Sequence, residues 1–166
     1  MDNIANVASI ITIILFIIYI VGRIIAILKE KNLIYEKIEI FYKNSKESLK
    51  KYKIVDEFEL DKESDEYLII TPNDKSFDYI SIYEYSDYLS GKKRRIYKRD
   101  KVLNKGYSIK INVIIAESMP RYLIKFQRSD YMNGEMEVVY NGKNGVQEEM
   151  IKCNHTLKSI LYYFFK

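Results

Sequence analysis

The stretch IANVASIITIILFIIYIVGRIIAIL, residues 4–28, decides how the chain is organised. Arg23 is its only charged side chain, and an α-helix of this length would extend roughly 37 Å, enough to cross a hydrocarbon core of about 30 Å. A secretory signal peptide would have a basic start and a shorter apolar run. A helix buried in a soluble core is rarely apolar on every face. The sequence therefore predicts a single transmembrane anchor over residues 1–28.

Positive charge follows this stretch at Lys29, Lys31 and Lys37, whereas only the α-amino group precedes it. The positive-inside rule places the flank that is richer in Lys and Arg in the cytoplasm. A single cysteine, Cys153, provides no disulfide framework and suits a reducing compartment. We expect a cell-membrane protein with its N-terminus outside and its C-terminal domain cytoplasmic. The abundance of Ile, Lys, Asn and Tyr is typical of an AT-rich bacterial or phage genome.

Residues 29–53 show a helical spacing, with Pro and Gly absent and positions recurring at alternating intervals of four and three. This heptad pattern predicts an amphipathic stalk that continues from the transmembrane helix. Its apolar stripe could join copies of the chain, pack on the chain's own domain or lie on the membrane surface. The self-association residues would be Ile34, Ile38, Phe41 and Tyr52.

Beyond residue 53 the period changes to two, which predicts a cytosolic β-rich domain over residues 54–166. The predicted strands are 53–60, 67–72, 77–88, 94–98, 107–117, 122–128, 135–141 and 147–152. Asn133-Gly134 is the strongest hairpin signal. Asn154 or Thr156 could cap a final helix over residues 155–166. The expected fold is α+β: a transmembrane helix and stalk, then a mostly antiparallel small barrel or sandwich of six to eight strands with a C-terminal helix.

Motifs that carry chemistry are weak in this sequence. Cys153 and His155 lie two residues apart, but the chain has no second Cys or His with which to complete a zinc site. A buried cysteine and a partly exposed histidine explain the pair better than a nucleophile and its base do. The sequence also contains neither glycine-rich phosphate-binding motif. We therefore expect a non-enzymatic protein without a metal or a cofactor.

The basic segment 91–106 is the most informative surface, because it carries eight Lys and Arg against one Asp. It could be a solvated edge hairpin, a patch for anionic lipid headgroups, or a nucleic-acid or nucleotide site whose Lys and Arg neutralise phosphates, with Tyr97 available for stacking. An acidic partner could bind the same charges. Because the domain is expected to be tethered to a bilayer, lipid is the favoured ligand among these alternatives. The candidate binding residues are Lys92, Lys93, Arg94, Arg95, Tyr97, Lys98 and Arg99.

Together these features favour a single-pass, membrane-anchored binding, sensing or interaction module, with the lipid bilayer and an anionic lipid, a nucleotide or a further protein as partners. The alternative is an outward-facing envelope assembly subunit. An N-terminal hydrophobic helix, an amphipathic extension and a β-sheet head are similar to the layout of type IV pilins. This sequence departs from that family at Ala5, where pilins place a glutamate, and it lacks their leader.

Overall fold

The computed structural model describes residues 2–31, 35–43, 50–59, 67–85, 91–112, 121–139 and 145–166. These residues form an N-terminal helix, two sheets and a C-terminal helix, which is an α+β arrangement. The helices are α1 (Asp2–Lys31) and α2 (Leu157–Phe165). The strands are β1 (Tyr35–Lys43), β2 (Lys53–Glu59), β3 (Tyr67–Pro72), β4 (Phe77–Tyr85), β5 (Lys93–Arg99), β6 (Tyr107–Asn112), β7 (Arg121–Arg128), β8 (Asn133–Val139) and β9 (Gly145–Lys152).

The N-terminal helix α1 carries the predicted apolar stretch without interruption. Within it, Ser9–Glu30 is long and apolar enough to cross a membrane, with a mean hydropathy of 2.8. The large apolar side chains from Ile10 to Tyr19 are 50–64% exposed, so the β domain does not cover this part of the helix. A core helix of a soluble domain would be buried instead.

The β domain has two layers. The first sheet has the order β2-β6-β3-β1-β9, and the second has the order β5-β4-β7-β8. Neighbouring strands are antiparallel except β2 and β6, which run parallel. This confirms the mostly antiparallel β domain, although the described residues contain nine strands and not six to eight. Alternating apolar side chains of both sheets, including Ile70 and Ile109 of the first and Ile82 and Ile124 of the second, form one core.

The predicted stalk is wrong, because β1 occupies the middle of residues 29–53 and pairs with β3 on one side and β9 on the other. Ile38 is fully buried in the core, and Phe41 lies in β1 opposite Ile69 and Val146. Tyr52 lies in the turn that precedes β2, whereas Ile34 lies outside the described residues. β-Branched and aromatic residues with partners on both sides favour a strand over the helix that their spacing suggested. Ile38 and Phe41, which were proposed for self-association, therefore lie on a strand and not on a helical stripe.

The other predicted strands are confirmed, most closely β3 at residues 67–72. The predicted ends at 60, 86–88, 113–117 and 140–141 lie outside the described residues, and the remaining ends differ by one or two residues. Asn133-Gly134 is not the hairpin turn. The β7–β8 connection turns over residues 129–132, where Tyr131 has a φ of 63° and the Arg128 N–H donates to the Met132 carbonyl at 2.8 Å. Gly134 serves packing instead, because a Cβ there would lie 2.2 Å from the Phe126 ring.

The C-terminal helix is confirmed, with Thr156 as its N-cap. The Thr156 hydroxyl accepts from the Ser159 N–H at 3.1 Å, and the Ser159 hydroxyl accepts from the Thr156 N–H at 2.9 Å. This reciprocal pair is a capping box, which satisfies N–H groups that the first helical turn leaves without partners. The isolated bridge between Asn133 and Asn154 fixes the chain that leads from the sheets into the helix.

Candidate functional site

The outward side of the sheet β5-β4-β7-β8 carries a row of tyrosines at period two. On β4, Ile80 and Ile82 face the core, so Tyr79, Tyr83 and Tyr85 face outward and are half-buried. We call this side of the sheet the tyrosine face. Its three phenol rings lie along one central strand, where they offer aromatic surface to a ligand.

Cations from both neighbouring strands border this row. On β5, Arg95 is opposite Tyr83 and Lys93 is opposite Tyr85. The Lys93 Nζ lies 4.9 Å from the Tyr85 ring centroid, and the Arg121 guanidinium of β7 lies 4.5 Å from the same centroid. Such distances allow cation–π attraction. Positive charge and aromatic surface therefore share one side of the sheet.

Two further lysines complete this border. The Lys98 Nζ of β5 lies 5.9 Å from the Tyr79 ring centroid. Lys125 of β7 is opposite Ser81 of β4 and forms a 2.9 Å ion pair with Glu135 of β8. The cations of the tyrosine face are thus Lys93, Arg95, Lys98, Arg121 and Lys125.

Carboxylates border the face on both sides, and on the β5 side the Lys98 Nζ lies 2.7 Å from Asp100 Oδ2. Glu137 accepts from the Tyr85 hydroxyl and pairs with Arg121, and Glu135 pairs with Lys125. On the β5 side, the Ser81 hydroxyl beside Tyr83 and the charge of Arg95 lower the pKa of the Tyr83 phenol. A lowered phenol pKa indicates local stabilisation of negative charge. Since Arg95 lies opposite Tyr83 while the β7 cations Arg121 and Lys125 are paired with carboxylates of β8, the β5–β4 half of the face suits an anion better than the β7–β8 half.

The seven predicted binding residues do not share one surface. Lys93, Arg95 and Lys98 border the tyrosine face, and Lys92 is exposed just before β5. Arg94 is opposite Glu84 and forms a 2.9 Å ion pair with it. Alternation along a strand sends successive side chains to opposite sides, which divides the basic run. A register shift between Arg95 and Tyr97 brings Lys98 back to the side of Lys93 and Arg95.

The last two, Tyr97 and Arg99, join the two sheets. Tyr97 is only 7% exposed, and its hydroxyl donates to Asp56 Oδ2 of β2 at 2.8 Å. Arg99 Nη1 donates to the same oxygen at 2.5 Å. Burial opposes the change, yet these two hydrogen bonds lower the pKa of Asp56. The expectation that Tyr97 is available for stacking is therefore wrong, because its ring and hydroxyl hold β5 against β2.

A shallow depression of about 430 Å³ opens at one end of the tyrosine face. Tyr79 and Lys125 border it, together with Gln127, whose amide nitrogen donates to Asn133 Oδ1 at 3.0 Å. The volume suits a small organic group more than a folded partner. An aromatic ring, two amides and the Lys125–Glu135 ion pair provide stacking, hydrogen bonding and charge of both signs in one place.

A cluster of buried charges lies on the core side of the same sheet. Arg128 is 4% exposed, and its Nη2 lies 2.8 Å from Asp130 Oδ2 while its Nη1 lies 3.5 Å from Glu36 Oε2. Glu36 Oε1 accepts from the N–H groups of Asp74 and Lys75 at 3.0 Å. We call Glu36, Arg128 and Asp130 the buried charge cluster. Its members hold strands of both sheets and the β7–β8 turn together.

Cys153 borders this cluster, with its sulfur 3.8 Å from Arg128 Nη1. Burial raises the pKa of the Cys153 thiol despite the nearby guanidinium, whereas a nucleophilic cysteine needs a thiolate. The prediction of a buried cysteine and a partly exposed His155 is confirmed. Among the described residues, no group of three or more His, Cys, Asp or Glu is arranged to hold a metal ion.

Sequence reasoning missed the tyrosines and the two cations of β7. The signal for the tyrosines was present, since YISIYEY at residues 79–85 alternates aromatic and apolar side chains. To identify Arg121 and Lys125 as part of the face requires the order of strands, which one sequence does not reveal.

Comparison with known proteins finds no matching family model, no matching curated protein and no matching solved structure.

Proposed function

We propose that the protein is a non-enzymatic binding module, anchored in the cell membrane by α1, whose tyrosine face binds a nucleotide. The observation that carries this proposal is the row Tyr79, Tyr83 and Tyr85 with cations on both neighbouring strands. Aromatic side chains stack on bases, and Lys and Arg neutralise phosphates. A bare lipid phosphate would use the cations but not the rings, so the rings favour a ligand with a planar group.

Two sources could supply this chemistry, namely a free nucleotide and a single-stranded nucleic acid. Both present a base beside a phosphate, and both would contact Tyr83 and Arg95 in the anion-suited half of the face. The depression beside Tyr79 and Lys125 offers room for one base or ribose. A free nucleotide would fill this one site, whereas a strand would extend along the tyrosine row.

The anchoring part of the proposal rests on Ser9–Glu30, whose side chains are largely exposed to the surroundings of the protein. The lysines that follow this segment support a cytoplasmic β domain, where nucleotides are available. A reporter that is active only in the cytoplasm, fused after Lys166, would test this orientation. Activity of an exterior-specific reporter alone would instead support the envelope-subunit alternative.

Binding is tested with the full chain in detergent micelles, titrated with ATP, with GTP and with a thymidine oligonucleotide. We expect Tyr83→Ala to weaken binding about 5- to 150-fold, because stacking of one base contributes about 1–3 kcal/mol. Tyr107→Ala is the matched control. Tyr107 is 38% exposed and has a lysine, Lys53, whose Nζ lies 5.6 Å from its ring centroid, but it lies on β6 in the other sheet.

Equal loss of affinity in the two variants, or no binding of any of the three probes, would contradict the proposed function. Neutralising Arg95 and Lys98 should also reduce the dependence of affinity on salt concentration, since each phosphate contact releases counterions. Tighter binding of the oligonucleotide than of both triphosphates would identify a strand as the ligand. The opposite order would identify a free nucleotide.

A further inference from the structure

The C-terminal helix α2 exposes a stripe of large apolar side chains. Leu157, Leu161 and Phe165 are spaced four residues apart, and so lie along one stripe, where they are 74%, 49% and 82% exposed. On the other side Ser159 is buried, and the Tyr163 hydroxyl donates to Asp130 Oδ2 at 2.6 Å. A surface helix in water has the reverse arrangement. The stripe therefore needs an apolar surface to cover it.

The position of α2 along α1 indicates which surface that is. The two helices pack together near the C-terminal end of α1, where Ile27 is only 4% exposed. A small cavity of about 250 Å³ lies between Arg23 and Glu30 of α1 and Lys166 beyond α2. The apolar side chains of α1 from Ile10 to Tyr19 stay exposed. The helix α2 thus lies at the level where the apolar span ends.

Basic side chains gather at the same end of the β domain. The Lys105 and Ser129 N–H groups both donate to Ser76, at 3.2 Å to its hydroxyl and 2.9 Å to its carbonyl. The Thr156 hydroxyl that caps α2 donates to the Tyr131 carbonyl at 2.7 Å. These contacts place the loops around Ser76 and Lys105 next to the turn that carries α2. Exposed lysines at this end are Lys75, Lys101, Lys105, Lys158 and Lys166.

We propose that α2 is an interfacial helix that lies in the plane of the membrane. Its stripe of Leu157, Leu161 and Phe165 enters the boundary between acyl chains and headgroups, and the lysines around it meet anionic headgroups. This inference rests on the proposed anchoring of α1 and goes beyond it, since it assigns a second membrane contact, made by α2. With α2 inserted, the β domain is held directly against the bilayer.

The experiment uses the full chain with one added cysteine, labelled with an environment-sensitive fluorophore and reconstituted in vesicles of phosphatidylcholine and phosphatidylserine. The native Cys153 is buried and should not react. Leu161→Cys reports on α2, and Ile17→Cys reports on the middle of the span. Val139→Cys is the control, since Val139 is exposed at the end of β8 that lies away from α2.

We expect a lipid brominated near its headgroup to quench the label at residue 161, and aqueous iodide to quench it several-fold less than the label at residue 139. Equal iodide quenching at residues 161 and 139, with residue 17 protected, would refute the inference and leave the anchoring intact. Iodide access at residue 17 would refute both. Protection at residue 161 without quenching by brominated lipid would also refute the inference, because a second copy of the chain would then cover the stripe.

Discussion

Two arginines on the same strand offer a sharp test of the buried charge cluster. Arg128 and Arg121 both lie on β7 and both pair with carboxylates, but the Arg128 side chain is 4% exposed and the Arg121 side chain is 30% exposed. Arg128→Met would leave Glu36 and Asp130 buried without their counter-ion. Breaking a buried ion pair from one side costs about 3–5 kcal/mol, whereas an exposed pair contributes about 0–1 kcal/mol.

For a chain of this size, 1 kcal/mol corresponds to roughly 2–4 °C in Tm, so Arg128→Met should lower Tm by roughly 6–20 °C. Arg121→Met should lower it by no more than about 4 °C. The measurement is thermal unfolding of both variants and the wild type in the same detergent, followed by the near-ultraviolet circular dichroism of the tyrosines. This signal reports on tertiary packing of the β domain and not on the helicity of α1.

Equal shifts in the two variants would refute the assignment of Arg128 as the counter-ion of the cluster. A further variant separates lost charge balance from lost packing. Glu36→Gln and Asp130→Asn added to Arg128→Met remove the uncompensated charges while they keep similar shapes. We expect this triple variant to regain part of the lost Tm, because neutral buried groups need no counter-ion. A triple variant less stable than Arg128→Met would contradict the electrostatic explanation.

Gly134→Ala should cost about 1–3 kcal/mol in the free energy of unfolding, because its Cβ would overlap the Phe126 ring. Phe126→Leu added to it should cost less than the sum of the two single variants, and strict additivity in a double-mutant cycle would contradict this packing. Burial raises the pKa of Glu36 above its ordinary value of 4.5, so the folded state holds this proton more tightly, and stability should fall as pH rises from 4.5 through the folded-state pKa. Glu36→Gln should remove that part of the pH dependence of unfolding, and an unchanged slope would show that other groups cause it.

The elements that could be predicted from the sequence are those in which one local period dominates. The helix α1 is apolar on all faces, and β3 and β7 are strands rich in β-branched and aromatic residues, so that each was located to within a few residues. Local pattern alone also located α2, since Thr156 is followed by an apolar run that begins with Leu157.

The segment around β1 could not be assigned in this way, because two periods coexist in it. Ile34, Ile38 and Phe41 fit a heptad, whereas Ile38 and Ile40 fit a strand. Pairing with β3 and β9 decides between them, and both partners lie far away in the sequence. The prediction of a hairpin turn at Asn133-Gly134 is wrong for a related reason. The glycine there accommodates Phe126 across the strand pair, a packing requirement that looks like a turn signal in the sequence.

The sequence identifies the basic segment 91–106 as a surface, but it does not show the role of each residue in that segment. The oppositely charged segments of the chain explain why. An acidic run, DEFELDKESDE, occupies residues 56–66. Its first residue, Asp56, lies against Tyr97 and Arg99 of the basic segment, so that these opposite charges hold β2 against β5. Clustered charge therefore does not by itself indicate a ligand. Lys93 differs from Arg99 because the Tyr85 ring lies next to it on the outward side of the sheet, whereas Lys98, which lies next to Tyr79, also pairs with Asp100. A tyrosine ring beside the cation, and not the number of lysines, distinguishes a candidate nucleotide site from an ion pair between two sheet edges.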